Sequence, residues 1–255
     1  MTEIASIAAL LIGIYLAFSA FLYLYQRKLI FFPVPRDTEF SAEEISVDSQ
    51  GTRLQGWVLN PGRKRAVIYF GGNSEMITHR RQFFEDVFRE HTIYLINYRG
   101  YGGSEGSPGE AGMFADALAI YDSLAGQHES IIAYGRSLGS GIAVYLASQR
   151  PLEKLILLTP YDSVAAIGQK SYPIFPVRYL IKDRFDSVSR AGAIEVPVLI
   201  SAAELDREIR LPHTLALKQA FTRAPVDYQM IEGAAHNDIV DFPAYRDAVR
   251  NFVLR

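Results

Sequence analysis

A serine between two glycines, in the run Gly135-Arg136-Ser137-Leu138-Gly139, is the feature of this sequence best suited to covalent chemistry. The run follows the apolar stretch 130–134 and precedes a helix-compatible stretch, 140–149. A turn this tight between a strand and a helix strains the backbone of its central residue. Side chains on the flanking residues would collide with the adjacent backbone. Because glycine removes those side chains, we expect a turn that presents the Ser137 hydroxyl as a nucleophile rather than an ordinary turn serine.

A serine nucleophile needs a base that takes its proton, and His236 is the candidate. His236 follows the last predicted strand, 226–231, in a loop of small residues, and neutral imidazole titrates near operating pH. The alternative is a surface histidine without a catalytic role. The other four histidines lie in less suitable predicted helices and turns: His79, His91, His128 and His213.

The base in turn needs an acid that orients it, and Asp206 is the candidate. It lies just past the predicted strand 198–201, where its carboxylate could accept a hydrogen bond from the imidazole of His236. Glu204, two residues earlier, is the competitor, and a solvated loop carboxylate is the simpler alternative. We prefer Asp206 for its position relative to the strand.

Attack on a carbonyl also requires two N–H donors for the oxyanion that develops. The residue after the nucleophile, Leu138, offers one backbone N–H. The second is expected from Gly71-Gly72-Asn73-Ser74, which follows the apolar run 66–70. We assign it to Asn73, with Ser74 as the neighbouring possibility.

Composition excludes several other classes of function. The formal charge of −2 and the lack of a basic stripe argue against a nucleic-acid partner. The absence of cysteine excludes disulfides, thiol nucleophiles and attachment to a membrane by S-palmitoylation. No residue cluster has metal-ligand spacing and no G-x-G-x-x-G follows a strand, so the sequence predicts neither a metal nor a cofactor.

The first part of the chain predicts a membrane helix. Residues 4–25 contain no charged side chain, and such a helix would be roughly 33 Å long, enough for a bilayer core of about 30 Å. Glu3 near the start and the hydrophobicity beyond any small-residue cleavage site disfavour a cleaved signal peptide. We therefore predict a single-pass anchor over 1–28. Arg27 and Lys28 then favour a cytoplasmic catalytic domain by the positive-inside rule.

After the anchor, short apolar runs alternate with helix-length stretches, including 77–89 and 113–124, which predicts βαβ units in a single domain over 29–255. The fold class is α/β, with a mostly parallel eight-stranded sheet flanked by helices. Residues 161–194 form either a small cap over the site or an ordinary crossover with a proline turn. The predicted strands are 44–49, 54–59, 66–70, 92–96, 131–134, 155–158, 198–201 and 226–231.

Several segments resemble the membrane-anchored branch of the α/β-hydrolase-domain proteins, which includes serine-aminopeptidase-like and acyl-protein-thioesterase-like members. The motif stretches that match are 26–33, 98–106, 160–163, 183–187 and 195–200, together with the elbow at 135–139. The resemblance implies an α/β-hydrolase fold, with Ser137 as nucleophile, Asp206 as acid and His236 as base.

Two departures from the family pattern stand out. The oxyanion loop reads Gly71-Gly72-Asn73 where relatives commonly have His-Gly-Asn, and 202–206 replaces the usual Gly-x-x-Asp. Some eukaryotic relatives remove palmitate from proteins and reach membranes through an N-terminal cysteine cluster, which this chain lacks.

The residues and the resemblance together predict a membrane-anchored serine hydrolase of esters or thioesters. The side chains of Tyr172, Ile174, Phe175 and Tyr179 suggest a lipid-like acyl substrate, although they could simply pack the segment onto the domain. A peptidase or aminopeptidase-like hydrolase and a non-catalytic membrane-tethered binding protein remain alternatives. Serine at the elbow excludes a dehalogenase or epoxide hydrolase, which would need an aspartate there. The oligomeric state is not predicted.

Overall fold

A computed structural model describes residues 2–255 and contains the expected sheet of eight strands. The sheet order is β1-β2-β4-β3-β5-β6-β7-β8; β2 runs antiparallel to both β1 and β4, and the other neighbours are parallel. The predicted fold class is therefore confirmed. The strands are β1 (Glu43–Ser49), β2 (Thr52–Leu59), β3 (Arg65–Phe70), β4 (His91–Ile96), β5 (Ser130–Arg136), β6 (Lys154–Leu158), β7 (Val198–Ala203) and β8 (Val226–Ile231).

Helices cover both faces of this sheet. Side chains of a strand point alternately to its two faces. In β3 the alternation divides Ile68 and Phe70, in one core cluster, from Val67 and Tyr69, in the other. Burial on both faces explains why the central strands are continuously apolar. The helices are α1 (Thr2–Ile30), α2 (Arg81–Val87), α3 (Glu110–Leu124), α4 (Leu138–Gln149), α5 (Val164–Ser171), α6 (Val177–Leu180), α7 (Val188–Ala191), α8 (Leu211–Ala220) and α9 (Pro243–Leu254).

Two predicted helices differ in detail. The stretch 77–89 is divided into a 3-10 turn, Ile77–Arg80, and the short α2, because the chain leaves helical geometry at Arg80. Helix α3 begins three residues before the predicted 113, just after Gly109. Segment 161–194 contains α5, α6 and α7 between β6 and β7.

The N-terminal helix α1 continues to Ile30, two residues past the predicted boundary of the anchor. By length and composition it could cross a membrane, and a signal sequence would pass the same test. Its end is bonded to the domain, since the side-chain amide of Asn73 donates to the carbonyl of Ile30 at 2.5 Å. Phe31, the next residue, is buried in the core.

Candidate active site

The turn between β5 and α4 holds Ser137 in the strained conformation expected from its flanking glycines. Its φ is 49° and its ψ is −119°, a backbone conformation that residues other than glycine rarely adopt. A Cβ at Gly135 would overlap the carbonyl oxygen of Gly139, and one at Gly139 would overlap the carbonyl oxygen of Phe70. The two glycines therefore allow the turn to pack directly against the end of β3.

Ser137, His236 and Asp206 form a continuous chain of hydrogen bonds. His236 Nε2 lies 3.0 Å from Ser137 Oγ, and His236 Nδ1 lies 2.7 Å from Asp206 Oδ2. Only 5% of the His236 side chain and 4% of the Asp206 side chain are exposed, so water does not compete strongly for these bonds. With the Nδ1 proton directed at Asp206, Nε2 is free to accept the serine proton.

Asp206 is fixed from its other side as well. Its Oδ1 accepts hydrogen bonds from the backbone N–H groups of Glu208 and Ile209, at 2.9 Å and 2.8 Å. The competing carboxylate, Glu204, is exposed and accepts from the N–H of Gly233. The structure thus brings Asp206, and not Glu204, to the imidazole.

Leu138 and Asn73 line the same cavity as Ser137. Leu138 is the first residue of α4, so its N–H has no acceptor within the helix. Within residues 2–255, neither this N–H nor that of Asn73 donates a hydrogen bond to the protein. The neighbouring residues are less suitable donors. The N–H of Gly72 already donates to Glu75 Oε2 at 2.6 Å, and Ser74 does not line this cavity.

The side chain of Asn73 has a role that the sequence did not indicate. Its Oδ1 accepts from the N–H of Phe32 at 3.1 Å and from the Tyr101 hydroxyl at 2.9 Å, while its Nδ2 bonds Ile30. These bonds join the expected oxyanion loop to the end of α1. The N-terminal helix and the site are therefore one structural unit.

Beneath the oxyanion loop lies a buried ionic cluster that sequence reasoning missed: Glu75, Arg80 and Arg136. Glu75 is 2.5 Å from Arg80 Nε and 3.1 Å from Arg136 Nη1, with 6% of its side chain exposed. Burial raises the pKa of the Glu75 carboxyl, but the two guanidinium groups and the Gly72 N–H outweigh it, and the pKa lies below its ordinary value.

Arg136 connects this cluster to the loop that carries His236. Its Nη2 donates to Asn237 Oδ1 at 2.7 Å and to the carbonyl of His236 at 3.3 Å. Residues 71–75, the end of strand β5 and the loop of His236 are thus bonded to one charged cluster. A glutamate five residues past Phe70 and an arginine just before Ser137 were visible signals, but neither has a specific spacing rule.

Two cavities meet at Ser137. The first, of about 340 Å³, is mainly apolar, with α1 along one wall and segment 161–181 along the other. The second, of about 240 Å³, is polar and lies over the charged cluster, with His236 and Glu208 at its edge. Glu208 Oε2 is 3.5 Å from His236 Nε2, and Glu208 lines both cavities.

The remaining histidines lie apart from this chain of hydrogen bonds. His213 Nδ1 lies 2.9 Å from Asp162 Oδ1, and His128 Nε2 lies 2.8 Å from the Tyr94 hydroxyl. The imidazole of His91 is buried without a hydrogen-bond partner among residues 2–255, and His79 lines the polar cavity. Over residues 2–255, no group of three or more metal-ligating side chains is assembled.

Comparison with known proteins identifies the family. The model of the α/β-hydrolase fold matches residues 67–188. An uncharacterized protein of Mycobacterium tuberculosis is 34% identical over 251 residues, which cover 91% of this chain and 89% of the relative. The chain therefore contains an α/β-hydrolase domain.

Other α/β hydrolases agree with this placement. Alpha/beta hydrolase domain-containing protein 17C of Xenopus tropicalis is 30% identical over 200 residues, covering 76% of this chain and 63% of that protein. The esterase Pf2001 of Pyrococcus furiosus superposes with a TM-score of 0.71 at 17% identity, covering 88% of this chain and 99% of the esterase. At that identity the likeness shows the fold alone. The family match and the relative from Xenopus tropicalis together support a hydrolase of the α/β fold.

The structure accounts for both departures from the pattern of α/β hydrolases. A Cβ at Gly71 would lie 2.6 Å from Ile77 Cγ2, so the position usually held by histidine has no room for a side chain here. In the acid loop, β7 continues to Ala203, and the turn after it still delivers Asp206 to His236.

Proposed function

We propose that this α/β hydrolase is a serine hydrolase that cleaves esters or thioesters of apolar acyl groups through an acyl-enzyme. The observation that carries the proposal is the chain of hydrogen bonds from Asp206 through His236 to Ser137, with two unoccupied N–H donors beside the serine. This is the arrangement that acyl transfer requires.

In the proposed reaction, Ser137 Oγ attacks the carbonyl carbon while His236 Nε2 takes the serine proton. The N–H groups of Leu138 and Asn73 stabilise the negative charge on the carbonyl oxygen. Collapse of the intermediate breaks the bond to the alcohol or thiol, which leaves with the proton from His236. Water, deprotonated by the same imidazole, then attacks the acyl-enzyme, and Ser137 recovers its proton as the carboxylic acid departs.

The two cavities suggest how substrate divides between them. The acyl chain would lie in the apolar cavity, where Leu22, Ile30 and Ile167 offer dispersion contacts. The leaving group would lie in the polar cavity, against Asn237 and Glu208. We further propose that α1 anchors the protein in a membrane, with the catalytic domain on the cytoplasmic side.

The test is labelling of the full chain in detergent micelles with a fluorophosphonate, followed by hydrolysis of ester and thioester series. The full chain is required because Ser19, Leu22 and Ile30 of α1 line the cavity. Labelling should disappear in Ser137→Ala and His236→Ala. It should persist in Ser148→Ala, whose hydroxyl lies near the far end of α4 and bonds the carbonyl of Tyr145. A folded wild-type chain that is never labelled would favour a binding protein.

Amide hydrolysis is the second candidate because Glu208 could hold the ammonium group of an aminoacyl substrate. Its carboxylate lies 3.5 Å from His236 Nε2, lines the same cavity as Ser137 and is largely exposed. Aminoacyl anilides in the same assay decide the matter. Turnover of these in preference to long-chain esters would favour the aminopeptidase-like alternative.

A further inference from the structure

The carboxyl-terminal half of α1 does not stand free of the domain. The ring of Tyr15 stacks on Phe175 with centroids 5.1 Å apart, and its hydroxyl donates to the carbonyl of Ile174 at 3.1 Å. Further along, the side-chain oxygen of Gln26 accepts from the N–H of Lys182 at 2.6 Å. The chain from Ile174 to Lys182 therefore runs beside α1 over about 16 Å of helix.

One face of α1 makes these contacts. Residues that meet the domain or its cavity recur every three or four positions, as one helical face requires. They include Tyr15, Phe18, Ser19, Leu22, Gln26 and Ile30, with Tyr23 and Leu29 on the same side of the helix. By contrast, Ile4, Leu10 and Leu11, in the first half, are 61–75% exposed. The helix thus has one half that is apolar all round and one half that shares a face with the domain.

The segment beside α1 also exposes apolar side chains outward. Ile174 is 72% and Tyr179 is 69% exposed, and neither lines the cavity. Residues 164–182 contain three basic residues, Lys170, Arg178 and Lys182, and no acidic one. Apolar side chains with long basic ones that can reach the phosphate level suit an anionic lipid surface.

Geometry connects the helix and this segment to one bilayer. Ten residues separate Tyr15 from the end of the uncharged stretch at Tyr25, which is about 15 Å along the helix, or half of a bilayer core. If residues 4–25 lie in lipid, Ile174 and Phe175, which contact Tyr15, must lie in lipid as well. Helix α1 cannot be inserted as a lone span while segment 172–181 stays in water.

We propose that residues 172–181 insert into the bilayer beside α1, and that the acyl chain of a membrane ester reaches Ser137 from the lipid, between these two elements. The route of the acyl chain rests on the proposed function, because it assigns the apolar cavity to that chain. The insertion of residues 172–181 into the bilayer is independent of the proposed function. The cavity has α1 on one side and segment 164–181 on the other, so both walls would be in contact with the lipid that holds the substrate.

The absence of cysteine allows single-site labelling of the full chain. An environment-sensitive NBD fluorophore is attached to Ile174→Cys or Tyr179→Cys in vesicles of about three parts phosphatidylcholine to one part phosphatidylglycerol. Leu11→Cys is the reference for lipid, and Glu90→Cys, exposed beside the amino end of β4, is the reference for water. We expect emission at 174 and 179 to be blue-shifted and quenched by nitroxide lipids, as at 11. Quenching by aqueous iodide at 174 and 179, as at 90, would overturn the proposal.

A second variant tests the route. In the double variant Ile174→Glu with Tyr179→Glu, kcat/KM for a long-chain ester in vesicles should fall on the order of tenfold or more, because carboxylates are costly in lipid. Hydrolysis of a short, water-soluble ester should stay within about twofold, since neither residue lines the cavity. The lipid route would be contradicted if kcat/KM fell equally for both esters or fell for neither of them. Failure of the wild type to hydrolyse either ester would instead contradict the proposed function, while the fluorophore still reports insertion.

Discussion

The two cavities beside Ser137 are built from different parts of the molecule. The polar cavity is formed by loops at the carboxyl edge of the sheet and rests on the buried cluster of Glu75, Arg80 and Arg136. The apolar cavity is formed by α1 and segment 161–181, both outside the sheet. The polar cavity would hold the groups that carry out the reaction, while the apolar cavity would select the substrate.

This division predicts which substitutions affect all substrates and which affect only some. Changes on the polar side should lower the turnover of every ester, because they move donors or the base. Changes on the apolar side should alter the preference for acyl length. Substitutions in each cavity test whether the two regions act separately or as one.

The largest effect is expected on the polar side, for Asp206→Asn. The variant would lose the charge that stabilises the imidazolium and favours the productive tautomer, so kcat should fall about 10,000-fold. Glu204→Gln is the matched control and should stay within about threefold, because that carboxylate bonds only an exposed loop N–H. Steady-state hydrolysis of a short ester measures both. If kcat fell strongly in Glu204→Gln and was retained in Asp206→Asn, the acid would be Glu204 and not Asp206.

The next effect concerns the charged cluster, through Glu75→Gln. Two guanidinium groups would then remain buried without a counter-charge, which costs about 3 kcal/mol in the free energy of unfolding. Because Glu75 also holds the N–H of Gly72, kcat should fall by about tenfold to a hundredfold for short and long esters alike. Urea unfolding and ester kinetics measure the two effects. Glu85→Gln, in the exposed Arg81–Glu85 pair, is the control and should cost under about 0.5 kcal/mol.

The same cluster makes stability depend on pH. The pKa of Glu75 is lower in the folded protein than in the unfolded chain. Its contribution is therefore complete above about pH 4.3, the ordinary glutamate value, and is lost as pH falls through the folded pKa. Glu75→Gln should lack this component of the acid dependence. The free energy of unfolding is measured against pH for wild type and variant. If the two curves are parallel below pH 4.3, the Glu75 carboxylate is not stabilised by its arginines.

On the apolar side, Ile167→Trp should fill part of the cavity. We expect kcat/KM for a long-chain ester to fall about tenfold or more, with less than about threefold change for an acetyl ester. Ile167→Val, which keeps the cavity open, is the control. Comparable losses for both esters in the tryptophan variant would indicate that the cavity does not hold the acyl chain.

The sheet and the chain of hydrogen bonds were predictable because they follow local patterns. Alternation of apolar runs located all eight strands, and the glycines about Ser137 marked the turn. The position of Asp206 after β7 was enough to prefer it over Glu204, and the structure places it against His236.

The missed features depend on contacts between residues far apart in the sequence. Tyr15 meets a carbonyl 159 positions away, and Arg136 meets Asn237 across 101 positions. No periodicity in α1 reveals such a partner, because an apolar helix can bury any face equally well. By contrast, helix α9 was missed although its amphipathic sequence is a local signal; its apolar residues pack on α2 and on the sheet.

The smallest expected effect is at Glu208, where the two cavities meet. The carboxylate would attract a cationic leaving group, but 59% of the side chain is exposed, so solvent screens the attraction to about 1 kcal/mol or less. Glu208→Gln should therefore lower kcat/KM for a choline ester by no more than about fivefold. A neutral ester with carbon in place of the choline nitrogen should be unchanged. If both esters lose activity equally, Glu208 acts on His236 rather than on the leaving group, and the boundary between the two cavities belongs to the catalytic side.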